Sequence, residues 1–202
     1  MVIAIDGPAG AGKSTVARAV ADALGFTYLD TGAMYRAVAL ARILGRDEAE
    51  VSFDHGRVTL DGEDVSGRIR SPEVSEEASR VAAERAVREA MVTRQRELMA
   101  HGDWVAEGRD IGSVVAPQAE VKVFLTADPE ARAERRAKEL GVEVQRVREE
   151  QRARDERDTT REASPLVRAE GAHEVDTTGL AVDAVVERIV GLVDAARRGA
   201  AR

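Results

Sequence analysis

The sequence predicts a three-layer α/β domain built on a parallel five-stranded sheet flanked by helices. Three observations carry this. An apolar run, Val2-Ile3-Ala4-Ile5-Asp6, leads straight into a glycine-rich turn and then a periodic helix. Further short apolar runs alternate with helical stretches, the rhythm of a parallel sheet. The chain has 202 residues, enough for one such domain with small appendages and short for two.

The first turn is the most informative stretch. Gly7, Gly12, Lys13 and Ser14 fit the pattern G-x-x-x-x-G-K-[ST] of a phosphate-binding loop. Such a loop, here Gly7, Pro8, Ala9, Gly10, Ala11 and Gly12, wraps a polyphosphate with inward-pointing N–H groups. Lys13, Ser14 and Thr15 open a helix whose N-terminus adds partial positive charge. Lys13 suits the β- and γ-phosphates, and the Ser14 hydroxyl suits Mg²⁺. An ordinary glycine turn would explain neither the apolar run before it nor the periodic helix after it.

Composition narrows the function classes. Apolar residues are 44% and charged residues 33%, a globular balance, and the net charge of −7 argues against nucleic acid or an anionic membrane as partner. No cysteine is present, which excludes disulfides, thiolate catalysis and cysteine–metal sites. The core strand begins at residue 2 and no apolar run is long enough to span a bilayer, so a cytoplasmic enzyme is expected. There are three lysines, Lys13, Lys122 and Lys138, against many arginines. Genome composition or heat tolerance covers most of that excess, but a few guanidinium forks are candidate phosphate clamps.

The first helix is expected from Lys13 to about Leu24, stopped by Gly25. Phe26 to Leu29 reads as a second strand. Asp30-Thr31-Gly32 is a turn with N-cap chemistry, opening a helix from about Ala33 to Leu44 that Gly45 closes. Tyr35 and Arg36 fall in its first turn, near the sheet edge where ligands bind in open α/β folds. Residues 46–70 lose the rhythm. Arg57–Leu60, Asp61-Gly62 and Glu63–Val65 read as a polar β-hairpin, a minor insertion too small to fold alone.

Ser71-Pro72 opens a long helical region to about Ala100, with a bend expected near Ala82-Ala83-Glu84. On periodicity alone, Ser79 and Arg88 within it read as surface helix. Asp103–Ala106 is a third strand, ending in Glu107-Gly108-Arg109-Asp110-Ile111-Gly112. A charged pair in a glycine-bounded turn after a buried strand is a good place for function; a local Arg–Asp salt bridge is the plainer reading. Val121–Leu125 is a fourth strand, and Asp128-Pro129 caps a helix to about Leu140. From Val142 to about Thr160 the chain is helical and dense in charge. Arg154, Asp158 and Arg161 share one face if the helix persists. A solvated helix with intrahelical ion pairs suits Arg146, Arg148 and Arg152. A mobile lid whose arginines close over phosphate is the sharper reading. His173–Asp176 is the last strand, an amphipathic helix from Ala181 to about Arg197 closes the fold, and the terminal GAAR is expected to fray. His55, His101 and His173 show no metal-ligand spacing and read as surface or turn residues.

A phosphate-binding loop does not name a reaction. The absent Asn-Lys-x-Asp motif weakens a GTPase reading, and no apolar strand ends in the Asp-Glu pair of many motor ATPases. Small size, a short insertion and a late arginine-rich helix suit a small-molecule kinase with a separate acceptor pocket.

At this point the motifs resemble one family nearly end to end. They are Ile5 to Ser14, Leu29-Asp30-Thr31-Gly32-Ala33-Met34-Tyr35-Arg36, Gly62-Glu63-Asp64-Val65-Ser66, Ala78-Ser79-Arg80-Val81-Ala82 with Val87-Arg88, Glu107-Gly108-Arg109-Asp110-Ile111-Gly112, and Arg154-Asp155-Glu156-Arg157-Asp158 with Arg161. In this order they are similar to the bacterial cytidylate kinases of the nucleoside monophosphate kinase superfamily. The resemblance implies a P-loop three-layer fold and transfer of the γ-phosphoryl of ATP, with Mg²⁺, to CMP or dCMP.

It also implies roles. Residues matching Ser79, Arg88 and Asp110 make the cytosine pocket, and Arg36, Arg109 and Arg161 hold the acceptor phosphate. Tyr35, Arg154 and Asp158 meet the sugar, Thr31 lies at the edge of the acceptor site, and Arg157 faces the ATP phosphates. Lys13, Arg109, Arg154, Arg157, Asp158 and Arg161 form the catalytic set. The expected division is a core of residues 1–45, 101–141 and 172–202, an acceptor-binding insertion at about 46–100 and a lid at about 142–171, in a monomer. The chain departs from the family in a short segment from Arg46 to about Gly56, and in Glu84-Arg85-Ala86 where a proline often precedes the Val-Arg pair. A kinase for another acceptor such as UMP, or a nucleotide-dependent switch, remains the alternative on the residues alone.

Overall fold

The computed structural model describes residues 1–46, 48–54 and 57–200. His55 and Gly56, and Ala201 and Arg202 of the tail, lie outside the described residues. Five parallel strands form the main sheet: β1 (Val2–Asp6), β2 (Thr27–Asp30), β6 (Trp104–Gly108), β7 (Val121–Thr126) and β8 (His173–Asp176), in the order β2-β6-β1-β7-β8. The strand carrying the phosphate-binding loop is therefore central, with Asp6 in register with Gly108 of β6 and Phe124 of β7.

Both faces of the sheet are covered. Helices α1 (Lys13–Leu24) and α7 (Val182–Ala200) pack on one side, where Val16, Val20, Val185 and Ile189 meet Ile3, Ile5 and Leu125. On the other side Met34 of α2 (Thr31–Ile43) and Val92 of α4 (Arg85–Leu98) pack over Ala4 and Ala106. The central strands β1 and β6 are buried along nearly their whole length because both faces are covered, whereas the edge strand β8 buries only Val175.

Local chemistry sets the boundaries. Gly25 ends α1 in the left-handed conformation at φ 68°. The Asp30 carboxylate caps α2 by accepting from the Ala33 N–H at 2.8 Å, so that helix begins two residues before the position expected from sequence. The anticipated bend at Ala82–Glu84 is a full break between α3 (Pro72–Val81) and α4.

Residues 46–70 hold more structure than a hairpin. β3 (Val51–Asp54), β4 (Arg57–Leu60) and β5 (Glu63–Asp64) form a three-stranded antiparallel sheet, followed by a 3₁₀ turn at Arg68–Arg70. Leu60, Val65 and Ile69 bury against Leu40 of α2 and Val81 of α3, so the segment borrows its core from α2. The last helices before β8 are α5 (Pro129–Leu140) and α6 (Val144–Thr160). No helix among the described residues is long and apolar enough to cross a membrane.

Candidate active site

A cleft of about 1730 Å³ opens over the C-terminal ends of the strands. The phosphate loop forms its floor. Gly7 has φ 150°, and a Cβ there would lie 2.1 Å from the Leu125 carbonyl oxygen, so the loop passes β7 at a distance only glycine permits. Three helices are capped by side chains, α2 by Asp30, α3 by Ser71 and α5 by Asp128, whereas Gly12 leaves the N-terminus of α1 without a side-chain cap. Its first N–H groups are left for an anion.

Lys13 and Ser14 meet a carboxylate that sequence reasoning passed over. Lys13 is buried and donates to the Pro8 carbonyl at 2.7 Å. Burial, then the Arg109 guanidinium, push its pKa down to about 7. Glu107, at the end of β6, faces it. Burial, then Asp30, raise the Glu107 pKa against the pull of Lys13, the Ser14 hydroxyl and the Tyr28 hydroxyl. Tyr28 donates directly to Glu107 Oε1, and the Thr31 hydroxyl donates to its carbonyl at 2.6 Å. The hard-oxygen set of Ser14 and Glu107 fits Mg²⁺.

Asp6 was also missed. Its carboxylate accepts from the Ile111 N–H at 2.9 Å and the Gly112 N–H at 2.8 Å. Those bonds pin a one-turn π-helix at Ile111–Val115 behind Arg109 and Asp110. Burial outweighs them and raises the Asp6 pKa to about 6. The only sequence signal was an ionisable residue at the end of a fully apolar strand.

Arg109 and Asp110 are not paired with each other. Arg109 donates from Nε to Asp158 Oδ2 at 2.9 Å, while Asp110 Oδ2 accepts from Arg88 Nη1 at 2.7 Å. The turn thus sends one charge to α6 and the other to α4. Burial opposes the charge on Arg109, but Asp158 more than compensates and raises its pKa. Asp158 itself is held low despite burial, by Arg109, Arg154 and Arg161. The Arg154 pKa falls to about 10 through burial and the neighbouring Arg109.

Ser79 and Arg88 are not surface residues. They are 5% and 3% exposed, and the Arg88 guanidinium lies 5.0 Å from the centre of the Tyr35 ring. The break between α3 and α4 explains this: the Arg88 Nε reaches back to the Ala82 carbonyl at 2.8 Å, turning the side chain inward. Burial, opposed by Arg88, pushes the Tyr35 pKa up to about 12. Arg36 pairs with Asp30 at 2.8 Å. Arg161 lies just past α6, whose regular helix stops at Thr160, with its Nη1 3.6 Å from Asp158 Oδ1. It reaches the shared face from an extended residue instead of a helical one. Arg157 also lines the cleft, where its Nε donates to the Ala153 carbonyl at 3.2 Å. Arg146 makes the anticipated i,i+4 pair with Glu150, but Arg148 pairs with Glu130 of α5 instead.

Of the sequence-derived candidates, Ala9, Gly10, Ala11, Gly12, Lys13, Ser14 and Thr15 line this cleft, and so do Thr31, Tyr35, Arg36, Ser79, Arg88, Arg109, Asp110, Arg154, Asp158 and Arg161. Gly7 and Pro8 are not among its lining residues. Several of these groups have unspent hydrogen-bonding capacity. Arg36 Nε, Ser79 Oγ, Arg154 Nε and Arg161 Nη2 are buried without a partner. Buried donors of this kind call for a polar ligand.

The fold and phosphate loop are those of the P-loop kinases. A gluconokinase from Sinorhizobium meliloti superposes with a TM-score of 0.56 at 18% identity, over 98% of this chain and 94% of that one. A shikimate kinase from Bacteroides thetaiotaomicron superposes with a TM-score of 0.54 at 15% identity, over 96% and 98%. Within that class, the family model for cytidylate kinase matches residues 3–195, and the chain belongs to the cytidylate kinase family. It is 50% identical to a cytidylate kinase of Pelotomaculum thermopropionicum over 219 aligned residues, covering 97% of both chains. It is 49% identical to one of Carboxydothermus hydrogenoformans, covering 96% of this chain and 97% of that one. The first alignment is longer than the 202 residues of this chain, so that relative carries residues with no counterpart here.

Proposed function

We propose that the protein transfers the γ-phosphoryl group of ATP to CMP or dCMP, giving ADP and CDP or dCDP. The observation that carries this reading is the set of unpartnered buried donors on Arg36, Ser79, Arg154 and Arg161, in the same cleft as the phosphate loop. One end of the cleft suits a triphosphate, and the other suits a phosphate, a sugar and a polar base.

The acceptor is already a phosphate anion and a competent nucleophile, so the site needs no strong general base. The work is alignment and charge neutralisation. An oxygen of the acceptor phosphate attacks the γ-phosphorus in line; the bond from that phosphorus to the β–γ bridging oxygen breaks and ADP leaves with the electron pair. Lys13 and the loop N–H groups hold the donor. Arg36, Arg109 and Arg161 hold the acceptor phosphate, Tyr35, Arg154 and Asp158 the sugar, and Arg157 faces the donor phosphates from α6. Ser14, with Glu107 behind it, would hold Mg²⁺, which supplies positive charge across the donor phosphates.

Base choice rests on Ser79, Arg88 and Asp110. Cytosine offers an amino donor beside an acceptor nitrogen, which complements a carboxylate beside a guanidinium. Uracil presents a carbonyl to the carboxylate and loses on that edge. Residues 1–45, 101–141 and 172–202 act as the core, about 46–100 as the acceptor-binding insertion, and about 142–171 as the lid, in a cytoplasmic monomer.

The test is ADP formation from ATP and Mg²⁺ with CMP, dCMP, UMP, AMP, GMP, dTMP or no acceptor. Turnover confined to CMP and dCMP is expected. Equal turnover with all acceptors would remove the base assignment, and hydrolysis indifferent to any acceptor would favour a nucleotide-dependent switch.

A further inference from the structure

Helix α6 turns one broad face inward. Arg154 and Asp158 on it line the cleft. Val147, Gln151 and Asp155, spaced i, i+4, i+8 on the same face, dock the helix onto its neighbours. Val147 packs with Ala133 and Ala137 of α5, and the Gln151 amide donates to the Arg132 carbonyl at 3.4 Å.

Asp155 reaches further, to the phosphate loop. Its Oδ1 accepts from the Ala9 N–H at 3.2 Å, and its Oδ2 accepts from Arg132 Nη1 at 2.6 Å. The same Nη1 donates to the Ala9 carbonyl at 2.7 Å. The Arg132 side chain is only 9% exposed. A closed ring therefore joins both backbone groups of one loop residue to a helix-borne carboxylate and a buried guanidinium. The contact is tight: a Cβ on Gly10 would lie 2.7 Å from Gln151 Nε2 and 3.2 Å from Arg132 Cβ.

We propose that Arg132 and Asp155 are positioning residues that couple the phosphate loop to the arginine-bearing helix. Neither is assigned to substrate. By fixing the rotation of α6 against Ala9, they set where Arg154 and Asp158 sit relative to the donor phosphates. The inference rests on the kinase reading above and adds residues outside its catalytic set.

The experiment compares Arg132→Met, Asp155→Ala, their double variant, and the charge exchange Arg132→Asp with Asp155→Arg. Each single variant is expected to lower kcat/KM for ATP by about 10- to 100-fold, the cost of misplacing catalytic groups by roughly an ångström. The double variant should be no worse than the poorer single one within about twofold, because both break one ring. The ratio of kcat/KM for CMP to that for UMP should hold, since the base pocket lies on α3, α4 and the turn after β6. The charge exchange restores an ion pair but points a cation at the Ala9 N–H and an anion at its carbonyl. It should recover thermal stability and not kcat/KM.

A charge exchange that restores kcat/KM, additive single effects, or loss of stability with unchanged kinetics would overturn the proposal. Amide exchange gives a readout independent of turnover. ATP should protect α6 amides in the wild type and fail to do so in Arg132→Met; equal protection in both would also overturn it. A wild type without acceptor-dependent ADP formation would refute the kinase reading instead, and the exchange comparison would still decide the coupling.

Discussion

Arg88 donates to Asp110 across 2.7 Å with both side chains 5% exposed or less, and the pair joins the start of α4 to the turn after β6. Neither residue's helix or strand neighbours reveal this in sequence. Breaking a buried pair by removing one partner costs about 3–5 kcal/mol, so the gentler Asp110→Asn is the informative variant. It offers an N–H where the carboxylate accepted, which suits the uracil carbonyl better than the cytosine amine. The preference for CMP over UMP should fall by about tenfold or more. Steady-state kinetics with both acceptors checks this, and an unchanged ratio would remove Asp110 from base recognition.

Arg109→Ala should lose turnover by roughly a hundredfold or more, the scale of removing a charged group from a preorganised transition-state site. The fold should survive, because Asp158 keeps Arg154 and Arg161 as neighbours. Circular dichroism melts run beside the kinetics distinguish the cases. An unfolded variant would make Arg109 structural.

Lys13 should take up a proton when ATP binds. In the free protein, burial and Arg109 hold its pKa at about 7, so at pH 8 it is mostly neutral. Phosphates favour the cation, and uptake should approach about one proton per site at pH 8. Calorimetry in buffers of different ionisation heat measures it directly. The sign for stability follows from the same depression. The unfolded chain binds this proton below about 10.5 and the folded chain only below about 7. Between those values the group's contribution to stability therefore rises with pH. Lys13→Met should remove that dependence and raise the melting temperature of the free protein near neutral pH.

Asp6→Asn should destabilise the protein by about 1–3 kcal/mol, since an amide NH₂ must then face a backbone N–H in a buried site. The native Asp6 pKa of about 6 lies above the usual 3.8, so this group's stabilising contribution falls as pH rises through 6. The wild-type lead over the variant should be larger at pH 5 than at pH 8 in urea titrations. Activity should fall as well, because the bonds lost are those that hold the turn bearing Arg109 and Asp110.

Much of this was legible in the chain. The five sheet strands, the phosphate loop and the bend at Ala82–Glu84 carry local signals: apolar runs, glycine spacing and caps. The acceptor-side residues of the cleft are implied by the family resemblance and by no local pattern. What escaped has nonlocal causes. β3 escaped because four residues, Val-Ser-Phe-Asp, become a strand only by pairing with β4. Ser79 and Arg88 look like solvated helix positions until the break in the helix turns them inward. Asp6 and Glu107 stand at strand ends and Arg132 within a charged helix, and the burial of such ionisable groups is decided by distant partners: Ile111, Lys13 and Asp155. Periodicity reports which face is apolar and says nothing of which charge that face will meet.

The central place of β1 has a consequence for how the chain comes to be folded. Of the five sheet strands β1 is synthesised before the others, yet it must wait for β6 and β7, about a hundred residues later, before it has a neighbour on either side. Loop-closure entropy makes such pairings slow relative to local ones. Within this sheet the strand that carries the phosphate loop is thus made before its neighbours and secured only after them. A nascent chain halted before residue 104 should have no affinity for ATP, and mutations in β6 should slow acquisition of that affinity more than mutations in α7.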